Sequence, residues 1–315
     1  SMVMSDLKKT FRPEFLNRVD EIIVFEKKKF RSVKGFLQNF LPLRRKIQAR
    51  DYDIVLDLQG LFKSAAVAAL AKAPKGQKYG MWNMREGSQL ISKPVIGPHC
   101  HDHVIERYLD TARAVGCAVK EVRLPIRVPE REQQLTRQIV AQAGANMANT
   151  YTVLVVGASW PTKCWPDGHF AMLGDWLYNH GVIPVLVGSG PVETQKAAEI
   201  AAKMDIPPID LVGKLNFKQL AYLFQQSAAV VGGDTGPTHL AVGIGAKTVM
   251  LMGPTYPCRT GPYGQMENLL VVDRDCRECM KRVCPLGHDC MAVIKPEQVE
   301  EKLKALVPAL NAVTI

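Results

Sequence analysis

From Tyr151 to Gly253 the chain repeats one pattern: a short apolar run, a bend holding glycine, then a longer amphipathic stretch. The apolar runs are "YTVLVVGAS" (151–159), "VIPVLVGSG" (182–190), "IDLVG" (209–213), "VVGGD" (230–234) and "KTVMLMG" (247–253). The stretches between them include "DGHFAMLGDWLYNHG" (167–181), "VETQKAAEIAAKM" (192–204) and "NFKQLAYLFQQS" (216–227). Parallel strands need a crossover, usually a helix, to reach their neighbours. Strand and helix in alternation therefore predict an α/β fold of doubly wound, parallel-sheet type. The same alternation begins earlier, in "DEIIVF" (20–25), "YDIVLDLQG" (52–60) and the Ala-rich "LFKSAAVAALAKA" (61–73).

A chain of 315 residues exceeds one ordinary core and suits two domains. The segment "VPEREQQLTRQIVAQAGANMANT" (128–150) reads as a helix and polar linker, so the expected domains are residues 1–148 and 149–315. A last helix is expected over Pro296 to Leu310, with proline at its start. Apolar content of 47% and charged content of 22% mark a soluble globular chain. No apolar run reaches the roughly 18 residues that a membrane span needs. Ser1-Met2 is followed by no signal-type apolar region and reads as a cloning remnant. The formal charge of +10 favours acidic partners such as nucleotides, phosphorylated sugars, nucleic acid or an anionic membrane face. The scattered Cys100, Cys117, Cys164 and Cys258, with four more near the C-terminus, fit a reducing cytoplasm better than a disulfide scaffold.

Three bends of the second half carry chemistry. In open α/β sheets ligands sit at the carboxyl ends of strands, beside helix N-termini. In "GASWPTKCWP" a strand ends and Ser159, Thr162 and Lys163 follow, with Trp160 and Trp165 as pocket walls. Lysine is a compact, flexible cation suited to phosphate. In "GSGPVE", Gly188 and Gly190 let backbone approach a ligand, and Glu193 can accept bonds from ribose hydroxyls. In "GGDTGPTH", the amides of Thr235 and Gly236 point at an anion, aided by the helix dipole, with Asp234 and His239 beside them. Each bend alone has a plain reading: a capped turn, a surface lysine, a packed core histidine. The functional reading gains from all three falling at equivalent strand ends.

"GASWPTKCWP", "GSGPVE", "GKLNFKQLA" and "DTGPTHLA", in this order, resemble the glycosyltransferase family that contains the lipopolysaccharide heptosyltransferases, over roughly Val19 to the end. The resemblance implies two Rossmann-like domains facing across a cleft, the GT-B arrangement. It implies inverting transfer of heptose from an ADP-sugar to the lipopolysaccharide inner core, with no catalytic metal. By the family pattern, Ser159, Thr162 and Lys163 contact the donor, Lys163 at its phosphates. Thr235 and Gly236 hold the diphosphate, and Asp234 and His239 sit at the heptose and phosphate. Glu193 holds the ribose and Leu215 lies beside the adenine. Lys163 and Asp234 are the expected catalytic pair. The implied partners are an ADP-heptose-type donor and a lipid-linked core oligosaccharide, not nucleic acid, with the enzyme in the cytoplasm or at the inner membrane face.

The first half is expected to meet the acceptor, whose inner core carries carboxylates and phosphates. Candidates are Lys28, Lys29 and Arg31 in "EKKKFRSVKG", Arg85 in "NMREGS", and His103 and Arg107 in "HDHVIERYLD", one helical turn apart. In the resembling family the positions matching Arg85, His103 and Arg107 line the acceptor side. The alternative for the lysine run is a solvated face. Residues 30–47 read as a basic amphipathic helix, able to lie on an anionic membrane or to pack on the sheet. The family's opening strand and Gly-Asp-Val loop, whose aspartate is proposed as general base, is not matched, so the first domain reads as shortened and no base is assigned. The first twenty or so residues instead resemble a stretch of Clp-type protein-unfolding ATPases, yet no G-x-x-x-x-G-K-[ST] loop occurs to support ATP hydrolysis.

"CRECMKRVCPLGHDC" places Cys276, Cys279, Cys284 and Cys290 close together. Four such thiols can form a structural zinc site, hold an iron–sulfur cluster, pair as disulfides or stay free. The loop is expected to pin the C-terminus, away from the chemistry. Two other functional classes compete with transfer: a nucleotide-sugar-binding protein without turnover, and a sugar-nucleotide epimerase, for which no convincing carboxylate pair is visible.

Overall fold

The computed structural model describes residues 33–119, 122 and 126–311. The strand expected at 20–25 and the candidates Lys28, Lys29 and Arg31 lie outside these residues. The chain divides at Val122/Arg123 into two compact units.

The described part of the first unit alternates helix and strand. It comprises helix α1 (Val33–Gln48), strand β1 (Val55–Asp57), helix α2 (Phe62–Leu70), strands β2 (Lys78–Met81) and β3 (Lys93–Val95), and helix α3 (Val104–Arg113). The three strands form a parallel sheet in the order β1-β2-β3. Ile47 of α1 and Ala65 and Ala68 of α2 are buried, while Arg44, Arg45 and Lys46 are exposed. Asp57 ends β1 and turns the chain: its Oδ1 accepts from the amides of Gln59 and Gly60. Gly60 then adopts φ 62°, a left-handed conformation that a side chain resists.

The second unit opens with α4 (Glu130–Gln142) and continues through β4 (Tyr151–Val155), α5 (Asp167–Asn179), β5 (Ile183–Val187) and α6 (Pro191–Ala201). There follow β6 (Ile209–Asp210), α7 (Phe217–Gln226), β7 (Ala229–Gly233), α8 (Gly236–Gly243), β8 (Thr248–Met252), α9 (Pro257–Thr260), β9 (Leu269–Val271) and α10 (Pro296–Leu306). All six strands are parallel, in the order β6-β5-β4-β7-β8-β9. This is the Rossmann order, in which the direction of winding reverses between the first and fourth strands, here β4 and β7.

Period-two alternation explains why the sheet needs helices on both faces. Leu154, Leu186, Val231 and Leu251 point to one side and meet Phe170, Leu173 and Leu177 of α5, Ile200 of α6 and Leu303 of α10. Val153, Val155, Val185, Val187 and Val230 point to the other and meet Val140 of α4, Leu223 and Phe224 of α7, and Leu240 of α8. Each such side chain, fully buried, contributes about 1.5–3 kcal/mol before the entropy of ordering is set against it. Helix α7 is started by a reciprocal cap. Asn216 accepts from the amides of Lys218 and Gln219, and the Gln219 side chain accepts from the Asn216 amide at 2.9 Å.

Two expectations need correction. The division falls earlier than residue 148, because α4 carries buried Val140 into the second unit's core and stacks Arg137 over Tyr222, 5.3 Å from the ring centroid. The last helix ends at Leu306 rather than 310, since Pro308 cannot continue it and a 3₁₀ turn (Pro308–Asn311) follows. Among the described residues no helix is long and apolar enough to cross a membrane.

Candidate functional site

Paired strands β4 and β7 end side by side, with Val155 opposite Gly232, so the bends after them meet at the reversal point. After β4, a 3₁₀ turn (Pro161–Lys163) lifts Lys163 over the tip of β7. Its Nζ donates to Asp234 Oδ2 at 2.7 Å, and the Asp234 carbonyl lies 3.3 Å away. The other carboxylate oxygen, Oδ1, sits 2.7 Å from His239 Nε2. The Lys163 and Asp234 side chains are only 12% and 8% exposed. Burial alone would push the Asp234 carboxyl up. Hydrogen bonds from His239 and Lys163, the nearby Thr255 hydroxyl and the Lys163 charge outweigh it, holding the carboxyl well below the usual range. The Thr255 hydroxyl is buried and has no fully formed hydrogen bond of its own, so it stays available to the carboxylate.

The glycines of this bend are dictated by contact. A Cβ at Gly233 would stand 2.8 Å from the Lys163 carbonyl oxygen, and one at Gly232 would stand 2.5 Å from Thr238 Oγ1. Only bare backbone lets the Lys163 loop close onto β7. At Gly236, by contrast, a Cβ would meet nothing within 4 Å, so this first residue of α8 faces open space. Thr235 caps α8 in an extended conformation with no side-chain bond to the first-turn amides; its hydroxyl pairs with Thr238 Oγ1 at 3.0 Å. The amides at this helix start are therefore free to meet an anion.

Further along the strand tips, Glu193 in the first turn of α6 leans over Gly157, where any Cβ would collide with its side chain, and over Gly188. Leu215, after β6, is half-buried against the valine-rich side of the sheet. The expected donor-side residues Leu215, Glu193, Lys163, Asp234, Thr235, Gly236 and His239 thus all lie at carboxyl ends of strands. Ser159 is exposed in the β4 loop. Thr162 is committed elsewhere: its hydroxyl donates to the Lys281 carbonyl at 2.7 Å. Of the two tryptophans expected to wall a pocket, Trp160 does flank Lys163, with Nζ 4.6 Å from its ring centroid. Trp165 is instead core, buried beside Phe170 and donating Nε1 to the Ile294 carbonyl at 2.9 Å.

On the first unit, Arg85 is exposed and its amide donates to the Gly60 carbonyl. His103 is the N-cap of α3, its Nδ1 accepting from the Ile105 amide. Arg107 is spent on structure: Nε donates to the Asp102 carbonyl at 2.7 Å and Nη2 to that of His101 at 3.2 Å.

The cysteine loop holds two surprises. It lies against the Lys163 turn rather than apart from it, through the Thr162 bond to Lys281 and a contact of Cys290 Sγ with the Thr162 carbonyl at 3.9 Å. All eight cysteines are free thiols, and among the described residues no three His, Cys, Asp or Glu side chains gather as a metal-holding group. Cys276 and Cys279 are exposed, and left-handed Glu278 and Met280 flank Cys279 and turn the backbone sharply on either side of it. Sequence reasoning missed Thr255 and Arg282 in this neighbourhood. The first was legible as a hydroxyl in the bend after buried "KTVMLM"; the second had no local signal.

A Rossmann-ordered parallel sheet with a lysine, a carboxylate and a free helix start at its reversal point defines a nucleotide-phosphate-binding α/β class. Comparison with known proteins narrows it. Residues 40–289 match the model for glycosyltransferase family 9 (heptosyltransferase), and the chain belongs to that family. It is 27% identical over 288 residues to lipopolysaccharide heptosyltransferase 1 of Pseudomonas aeruginosa, covering 84% of this chain and 77% of that one. The chain spans about two thirds to three quarters of the length of such relatives. The fold is that of a family 9 glycosyl transferase from Veillonella parvula (TM-score 0.76, 22% identity, 92% of this chain and 82% of that one). It is also that of the E. coli ADP-heptose lps heptosyltransferase II (TM-score 0.68, 24% identity, 88% and 82%). The chain is a glycosyltransferase by family.

Proposed function

We propose that this protein transfers a heptosyl residue from ADP-heptose to the inner core of lipopolysaccharide, with inversion at the anomeric carbon. The observation that carries the reading is the order of side chains along the strand tips. Leu215 after β6 suits the adenine, Glu193 after β5 suits the ribose, and Lys163 with the Thr235–Gly236 amides between β4 and β7 suits the diphosphate. The names of the relatives supply the sugar and the acceptor class.

In this reading the acceptor hydroxyl attacks the anomeric carbon and gives up its proton to solvent, while the bond from that carbon to the phosphate oxygen breaks, its electron pair leaving with ADP. The charge that develops on the leaving phosphate is met by Lys163 and the α8 start, so no metal is invoked for it. Asp234, held ionised and bonded through both oxygens, is a positioning residue that fixes Lys163 and His239 rather than a proton acceptor. The exposed Arg85 is the acceptor-side cation assigned here. Arg44, Arg45 and Lys46 on α1 suit the anionic inner face of the membrane that presents the acceptor.

The test is turnover of ADP-heptose with a Kdo-lipid acceptor. Lys163→Ala is expected to lower kcat by about 100- to 1,000-fold with the fold intact. A variant that turns over like the parent places the chemistry elsewhere, and binding of ADP without any transfer by the parent would make this a nucleotide-sugar-binding protein.

A further inference from the structure

Charge balance at the diphosphate cradle is incomplete. Lys163 is paired at 2.7 Å with Asp234, so much of its charge is already answered. A sugar diphosphate brings two negative charges near neutral pH, and water is partly excluded where they sit. A helix start contributes roughly half a unit charge. One more fixed cation is called for, and the cysteine loop delivers one.

Beyond β9 this loop runs back across the strand tips. The Glu278 amide donates to the Gly253 carbonyl at 3.0 Å, the Met280 amide to the Pro254 carbonyl at 2.8 Å, and Thr162 Oγ1 to the Lys281 carbonyl at 2.7 Å. Glu278 and Met280 adopt φ of 61° and 56°, which costs non-glycine residues about 1–2 kcal/mol each and persists only where surroundings enforce it. Two residues beyond Met280, Arg282 lies with Cζ 5.3 Å from the centroid of Trp160, the same ring that carries Lys163 Nζ at 4.6 Å. Arg282 has no acidic partner among the described residues and is exposed. Two cations gathered on one aromatic ring, one of them unpaired, repel each other until an anion joins them.

We infer that Arg282 is the second cation of the cradle and binds the outer phosphate of a nucleoside diphosphate donor, the one that carries the sugar. The inference rests on the donor-site reading above. The phosphate is chosen by topology. The adenine and ribose positions lie toward β6 and β5, and Arg282 enters from the opposite, β8 side. A guanidinium held beside Trp160 offers a planar fork of donors, which matches two phosphate oxygens better than an ammonium does. The contact with Trp160 also restrains the side chain before the donor arrives, which lowers the entropy lost on binding. The cysteine loop is then a strap that brings a charge to the donor.

Calorimetric titration of the full chain with ADP and with AMP tests this. Arg282→Met is expected to weaken ADP binding about tenfold and AMP binding less than about twofold, with Arg282→Lys in between, and thermal unfolding unchanged because the side chain is exposed. Trp160→Leu is expected to lose ADP affinity to a similar extent, with little added by Arg282→Met on top. Parent-like ADP binding by Arg282→Met, or equal loss for ADP and AMP, overturns the role of Arg282; if Lys163→Met is weakened in the same experiment, the cradle reading stands without it. Parent-like ADP binding by Lys163→Met, or no ADP binding by the parent, brings down the cradle and this inference together.

Discussion

Removing Asp234 is expected to do more damage than removing the lysine it pairs with. Asp234→Ala leaves the Lys163 ammonium 12% exposed, with only the residue-234 carbonyl at 3.3 Å, and deprives His239 of its partner at 2.7 Å. Breaking one side of a buried pair typically costs about 3–5 kcal/mol. Lys163 stays at the lower end, since it can slide along Trp160 toward solvent, so about 3 kcal/mol is expected. Lys163→Ala leaves Asp234 with His239 and Thr255, and about 2 kcal/mol is expected. The double variant removes both charges at once and should cost about 3–3.5 kcal/mol, short of the 5 that independent sites would give, a coupling of about 1.5–2 kcal/mol. Denaturant unfolding read by tryptophan fluorescence gives the four energies. For a unit of this size each kcal/mol is also about 2–4 °C in Tm. Additivity within about 0.5 kcal/mol would mean that the pair does not act as a unit, and the account of this bend would be wrong.

Gly233→Ala forces a Cβ against the Lys163 carbonyl and is expected to cost about 1–3 kcal/mol and weaken ADP binding, while Gly236→Ala, facing open space, should leave Tm within about 3 °C; equal effects would contradict the close approach. The pH dependence follows from the depressed Asp234 titration. A lowered folded-state value gives stability that is complete above the unfolded value near 4 and is lost only as pH falls through the folded one. The Tm gap between the parent and Asp234→Asn should therefore not narrow until below about pH 4, and a gap that stays constant as pH falls from about 4 to 2 would show an unshifted carboxylate. Trp165→Phe removes the Nε1 bond to the Ile294 carbonyl and leaves that acceptor unanswered, for an expected loss of about 1–3 kcal/mol by denaturant titration, with ADP affinity unchanged; a loss of ADP binding with full stability would return Trp165 to the pocket wall.

The sequence by itself determined the sheet type and the donor-side bends. Runs such as "VLVV" and "VMLM" admit burial on both faces and little else, and the bends after them hold the residue types a phosphate requires. Strands β2, β3 and β9 were not legible, because three- or four-residue strands with partly exposed side chains carry no period of their own and exist by pairing. Nor was the domain division: α4 reads as polar until its single fully buried valine meets the second core. Local pattern also could not separate Trp160 from Trp165, five residues apart, since one faces a cation and the other a backbone carbonyl 129 positions away. Only the tertiary structure decided that the cysteine loop crosses the strand tips, that Thr162 is spent holding it there, and that Arg282 arrives beside Lys163. The physical reason is common to these cases. A strand's burial is written in its own residues, whereas a charge acquires its role from neighbours that the chain brings together only after the sheet has formed.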